Sequence, residues 1–215
     1  MFIYYLKNCG LYFTTNKDGI LVDGLFEKYK NFDGLSDKMI QEILSKNPPF
    51  DTLHATLFTH NHPDHYNKEL LEQCPFTRSD DFYKLSSFEI AHLPSPADKT
   101  THYVFFLTIE QTTIFISGDA NPVQCYRRLS KLDLPKVDYT FVNPFFLKVK
   151  PGKQFLNLLN AKQNFIYHLP TNPDDDIFGY YEMIQKNQHK VYHVTPLINF
   201  SKKPLLIVPS ALTSD

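Results

Sequence analysis

Thr59-His60-Asn61-His62-Pro63-Asp64-His65 follows the apolar run 55–58, and its reading decides the rest of the chain. Imidazole and carboxylate are side chains that suit zinc, iron and manganese. Three His and one Asp within six residues are too many for one tetrahedral site, so the spacing suggests two metals side by side. A solvated polar turn is the plain alternative. It does not account for a strand-then-loop context that delivers four ligand-type side chains together.

Three further strand ends carry His or Asp. His92 ends a strand expected at 88–93, Asp119 follows Ile116-Ser117-Gly118, and His168 follows Phe165-Ile166-Tyr167. Strand ends are places where polar groups converge without disrupting a core. With the first cluster these residues make seven candidate ligands, enough for two metals and an open position. Asp119 is alternatively a cap for the helix opening at Pro122, and His168 a surface histidine. His102 competes with His92 in the interval between the cluster and Asp119.

Outward from these motifs, short runs rich in β-branched and aromatic residues predict strands at 2–6, 11–15 and 20–22. Ser36 caps an expected helix whose apolar stripe is Met39, Ile40, Ile43 and Leu44. A strand at 53–59 and a short helix at 66–72 flank the cluster. Residues 103–109 and 113–117 pair as a hairpin, and a helix runs from Pro122 to about 132. Then come a strand at 137–142, a helix from about 152 to 160, a strand at 164–167, a helix after Asp174-Asp175-Asp176, and a β-rich tail at 190–208. No repeat or linker interrupts this order, so one domain over 1–215 is expected.

The 215 residues are 42% hydrophobic, enough for a full core, and 22 basic against 23 acidic residues leave a net charge of -1. That balance excludes an electrostatic nucleic-acid binder and a polybasic membrane protein. Cys9, Cys74 and Cys125 are too few and too widely spaced for a disulfide framework, and free thiols in a reducing compartment are expected. The N-terminus lacks the basic start and apolar stretch of a signal peptide, and no apolar run approaches the roughly 20 residues of a membrane span. The expectation is a cytoplasmic protein without a membrane partner.

On these residues the chain resembles metallo-β-lactamase-fold metallohydrolases over about residues 3–170. Leu21-Val22-Asp23-Gly24 is similar to that family's first motif, and His60, His62, Asp64 and His65 fill its H-x-H-x-D-H signature. His92, Asp119 and His168 resemble its later single-ligand motifs. The resemblance implies an α/β fold, a four-layer αββα sandwich with two divalent metals at one edge. Zinc is the first choice, and manganese and iron are compatible. It assigns His60, His62 and His92 to the first metal, and Asp64, His65 and His168 to the second. Asp119 would bridge them, Asp64 and Asp119 would be the catalytic carboxylates, and Asp23 would support the metal loop from behind. The implied nucleophile is a water or hydroxide between the metals. By the same likeness His92 is preferred over His102, which becomes a residue of the site's rim.

Departures narrow the resemblance. Asp119 stands where common β-lactamases carry a Cys ligand, and the Gly-His-Thr-Pro-Gly pattern of glyoxalase-II-like enzymes is absent around His92. The chain is too short for the inserted domain of RNA-processing nucleases, and Tyr66-Asn67-Lys68 differs from the continuation in transfer-RNA 3′ nucleases. The compact group of lactonases and phosphodiesterases, including ascorbate-6-phosphate lactonase, is the nearest pattern. A hydrolase of a phosphodiester or of an ester or lactone in a small molecule follows. The alternatives are an iron-dependent oxidoreductase on the same fold and a non-catalytic metal-binding scaffold. Asn143-Pro144-Phe145-Phe146-Leu147 reads either as aromatics at the site's edge or as core packing, and Lys148, Lys150 and Lys153 either as partners of a phosphate on the small-molecule substrate or as a solvated basic turn. His54, His189 and His193 read as structural or exposed.

Overall fold

Period-2 alternation builds the first sheet. β1 (Phe2–Lys7), β2 (Gly10–Thr14) and β3 (Gly19–Val22) form an antiparallel meander. α1 (Asp37–Leu44) carries the chain over to β4 (Leu53–Leu57), parallel to β3. Ser36 caps α1 as its sequence predicts, its hydroxyl accepting from the Met39 N–H. The computed structural model describes residues 1–74, 83–90, 100–191, 193–197 and 203–207.

α2 (Lys68–Glu72) follows the His cluster. It starts two residues later than 66 because Asn67 is its N-cap, accepting from the Leu70 N–H at 3.0 Å. β5 (Tyr83–Glu89), β6 (Tyr103–Ile109) and β7 (Thr112–Ile116) are antiparallel neighbours. The strand expected at 88–93 lies earlier, because its partner β6 begins at Tyr103 and the ladder ends at the Glu89–Tyr103 pair. Residues 91–93 of that expected strand, His92 included, lie outside the described residues. α3 (Pro122–Leu129), β8 (Tyr139–Val142), α4 (Phe145–Lys148), α5 (Lys150–Leu159) and β9 (Gln163–Ile166) follow. α6 (Tyr180–Asn187), β10 (Val194–Pro196) and β11 (Leu206–Ile207) complete the described elements.

The first sheet has the order β11-β1-β2-β3-β4 and the second β10-β9-β8-β7-β6-β5. Alternate residues of each strand serve different layers. Ile3, Tyr5, Leu11 and Phe13 meet Phe105, Leu107, Ile114 and Phe141 between the sheets. Tyr4, Leu6, Tyr12 and Leu21 turn outward onto Met39 and Ile43 of α1. Val104, Phe106 and Phe115 turn outward onto Cys125, Phe146, Phe155 and Ile184 of the later helices. The result is the expected four-layer αββα sandwich. Among the described residues no helix is long and apolar enough to cross a membrane.

Candidate metal centre

β3 and β4 end side by side, and the chain turns sharply beyond β3 and beyond β9. Asp23, beyond β3, has φ +47°, and His168, beyond β9, has φ +61°. Left-handed backbone at non-glycine residues costs on the order of 1–3 kcal/mol and concentrates where side chains must be aimed. Gly118, before Asp119, also has positive φ, and a Cβ there would lie 2.5 Å from the Thr59 hydroxyl. Only glycine allows the Asp119 loop to press so closely on the His cluster.

Asp23 is fully buried. One carboxylate oxygen accepts the Thr59 backbone N–H and the other the Thr59 hydroxyl, both at 2.7 Å, and the second also lies 3.0 Å from His65 Nδ1. A carboxylate only accepts, so His65 carries its proton on Nδ1 and turns the lone pair of Nε2 into the site. The same device recurs at His168. Asn8 Nδ2 donates to the Asp64 carbonyl at 2.9 Å, which leaves Asn8 Oδ1 to accept from His168 Nδ1 at 2.6 Å. His60 Nδ1 rests 3.1 Å from the Thr59 hydroxyl oxygen. Three imidazoles are thus anchored by Nδ1 and present Nε2 inward.

The inward atoms crowd together. His65 Nε2 and His168 Nε2 are 3.2 Å apart, and His60 Nε2 is 3.1 Å from His62 Nδ1. Asp119 reaches across, with carboxylate oxygens 3.8 Å from His60 Nε2, 3.6 Å from His65 Nε2 and 3.0 Å from His168 Nε2. Asp64 Oδ2 stands 3.5 Å from His168 Nε2. His60, His62 and His102 form one group with ligand atoms within reach of a single cation, and Asp64, His65 and His168 another. Asp119 groups with His60 and His65 between them.

Charge follows this geometry. Burial, aided by neighbouring His65, pushes His60 well below the ordinary histidine range. Burial also opposes a charge on His65, but Cys9, Asp23 and Asp119 outweigh it and raise its pKa well above ordinary. Burial would favour a neutral Asp119, yet His168 and His65 hold its carboxyl well below the carboxylate range. Lone pairs from several bases facing one another are costly unless a proton or a cation lies among them, and a bound metal displaces that proton. The donor set therefore fits divalent metals.

His102 sits differently from its expected place at the rim. It is buried and stacked on His60, with ring centroids 4.0 Å apart. The Tyr103 N–H donates to the Thr59 carbonyl, stitching the start of β6 to the end of β4, and the Ile90 N–H donates to the His102 carbonyl, tying in the end of β5. Asp119 does not cap α3. Asn121 does, accepting from the Val123 and Gln124 N–H groups, which leaves the Asp119 carboxylate to the site. His168 is buried rather than at the surface. His54 pairs with Asp18 at 3.0 Å, and His189 and His193 are exposed.

Sequence reasoning missed several supporting residues. Asn8 and Cys9 occupy the β1–β2 turn, and the Cys9 thiol donates to the Asp64 carbonyl at 2.8 Å. The side-chain amide of Asn143 donates to the carbonyls of Gly118 and Ala120, fixing the loop that bears Asp119. Nothing in Lys7-Asn8-Cys9-Gly10 signals more than a turn, because its partners are more than fifty residues away.

A cavity of about 220 Å³ opens on the candidate ligands His62, Asp64, Asp119 and His168. Asn143, Pro144 and Phe145 line it, whereas Phe146 and Leu147 are buried in the core. Lys148, Lys150 and Lys153 do not line it. The Lys153 ammonium instead donates to the carbonyls of Leu147 and Lys148, and that of Lys148 lies over the Phe145 ring.

No family model and no curated protein matches this sequence. Solved structures resemble its fold. Isothiocyanate hydrolase from Delia radicum gut bacteria is 13% identical, with a TM-score of 0.64 over 94% of this chain and 98% of that one. The metallo-β-lactamase fold protein YhfI from Bacillus subtilis is also 13% identical, with a TM-score of 0.57 over 91% of this chain and 90% of that one. CmlA, a diiron β-hydroxylase from Streptomyces venezuelae, is 12% identical, with a TM-score of 0.61 over 91% of this chain and 52% of that one. Two facing sheets between helix layers, with His and Asp gathered at the strand ends, together with these likenesses show that this chain has the metallo-β-lactamase fold.

Proposed function

We propose that the chain is a dinuclear metal-dependent hydrolase that cleaves a phosphodiester or an ester or lactone bond in a small molecule. The observation that carries this reading is the pair of adjacent three-ligand groups with Asp119 between them, opening on a cavity. His60, His62 and His102 would hold one divalent metal, Asp64, His65 and His168 the other, and Asp119 would contact both. In this assignment His102 takes the place that the resemblance gives to His92. Zinc or manganese, when bound, would activate a water and polarise the bond to be cleaved.

The chain's own residues supply orientation. Asp23, Asn8 and Thr59 fix the ring tautomers, Asn143 fixes the Asp119 loop, and the cavity walls hold the substrate. Tyr180 lines the cavity, and burial, with Asp119, Asp176 and Asp64 nearby, keeps its phenol protonated. In this reading it would donate a hydrogen bond to the substrate's oxygen. Three free thiols support a cytoplasmic location.

Elemental analysis of protein purified without added metal or chelator, beside Asp119→Ala, tests the reading. About two zinc or manganese per wild-type chain are expected, fewer in the variant, with hydrolysis lost on chelation and restored by either metal. A chain that takes up no metal after reconstitution refutes it. The fold shared with a diiron hydroxylase supports a second reading, since imidazole and carboxylate also suit iron. A coloured, iron-loaded preparation is its signature.

A further inference from the structure

Away from the metal ligands, the cavity is walled by rings: Tyr29, Phe32, Phe145, Phe178 and Tyr180. Phe32 packs on the candidate ligand His168 with centroids 4.2 Å apart. Tyr180 meets Phe145 edge-on at 5.6 Å and stacks with Phe178 at 5.3 Å. Phe178 in this wall is 49% exposed. This wall is prebuilt. Tyr29 and Phe32 exchange backbone hydrogen bonds at 3.0 Å, and Asn31 donates to the Asp175 carbonyl at 2.9 Å, tying the two loops together. Both carboxylate oxygens of Asp176 accept, from the Tyr180 and Tyr181 N–H groups, at 2.8 Å.

Charge is sparse by comparison. Lys30 is the one cation among the described residues of the lining, and its ammonium lies 4.7 Å from the Tyr29 ring centroid. Recognition of a phosphate beyond the reacting bond calls for several donors, often a bidentate Arg. Size points the same way. An apolar cavity of roughly 150 Å³ accepts benzene, so about 220 Å³ leaves room for a ring and a few atoms more.

We propose that the substrate is a small uncharged ester or lactone carrying an aromatic ring beside the bond cleaved, the ring seated against Phe145, Phe178 and Tyr180. This rests on the hydrolase reading and adds the substrate class to it. Water adds across the acyl C–O bond, giving the carboxylic acid and the alcohol.

The test compares methyl phenylacetate with methyl acetate on the metal-loaded full chain, since the two share bond and leaving group. Binding is read by ligand-observed NMR titration and turnover by acid release. The aromatic ester should bind about tenfold tighter, with kcat/KM about tenfold higher. Phe178→Ala should cut that preference roughly threefold and Phe145→Ala more, both at wild-type metal content. Phe178 is half exposed, so its variant folds even if the Phe145 variant does not. Equal binding of the two esters, or a preference unchanged in a folded variant, overturns the proposal. Aromatic preference in binding without hydrolysis of any ester or phosphodiester sinks the hydrolase reading and leaves the ring seat standing. Hydrolysis of both esters with equal kcat/KM sinks the ring seat alone.

Discussion

Replacing Asp23 separates the support of the metal loop from its packing. The carboxylate is fully buried and accepts from two donors of Thr59, with His65 Nδ1 as a third. In Asp23→Ala the Thr59 and His65 N–H groups lose their buried carboxylate acceptor, and His65 Nδ1 keeps only the Thr59 hydroxyl oxygen at a long 3.4 Å. At about 1–3 kcal/mol each, the variant should lose about 2–6 kcal/mol of stability, a large share of the total. Asp23→Asn keeps the shape, and its amide oxygen still accepts from the Thr59 backbone. Its NH2 faces His65, which must then accept at Nδ1 and move its proton to Nε2, where the lone pair for the metal belongs. Stability should fall by only about 1 kcal/mol, whereas metal affinity falls about 10–100-fold. Urea unfolding of metal-free protein reads the first quantity and competition with a chromogenic chelator the second. Wild-type metal affinity in Asp23→Asn would refute the argument, because it would mean that the tautomer of His65 does not matter to the site.

Three further outcomes follow from the geometry. His102→Ala should lower metal content from about two per chain to about one by elemental analysis, whereas His92→Ala should leave it unchanged; the opposite result would return the first metal to His92. Tyr180→Phe removes one hydroxyl and no ring, so kcat should fall roughly tenfold or more with KM little changed, and an unchanged kcat on an ester substrate would remove Tyr180 from the reaction. Cys9 and Cys125 are buried, and burial pushes the Cys9 thiol up to about 12 and Cys125 higher still, so neither should react with iodoacetamide in the native protein. Partly buried Cys74, at about 11, should label slowly, and mass spectrometry before and after denaturation gives the order.

How much of this was legible in the sequence depends on the range of each interaction. The layers were, because they rest on alternation. Ile3 and Tyr5 face one way and Tyr4 and Leu6 the other, and a pattern of period two needs no knowledge of the partner strand. The His60–His65 cluster was, because one turn supplies it. The third histidine beside His60 and His62 was not readable, since the sequence offers two candidates ten residues apart, His92 and His102. What places His102 there is the bond from the Tyr103 N–H to the Thr59 carbonyl, between segments more than forty residues apart. The same holds for Asn8, whose side chain engages His168 from the other end of the chain. The lysines after Asn143 were open to two readings for a related reason. A run of cations in sequence looks like a phosphate site, but Lys153 follows Pro151 and Gly152 into α5, and its ammonium folds back on the carbonyls that end α4. Ligand identity is written locally, in residue type at strand ends, and ligand orientation is written at long range, in the groups that hold each ring by its outer nitrogen. Substitutions at Asp23, Asn8 or Thr59 should therefore alter metal binding without removing a single ligand.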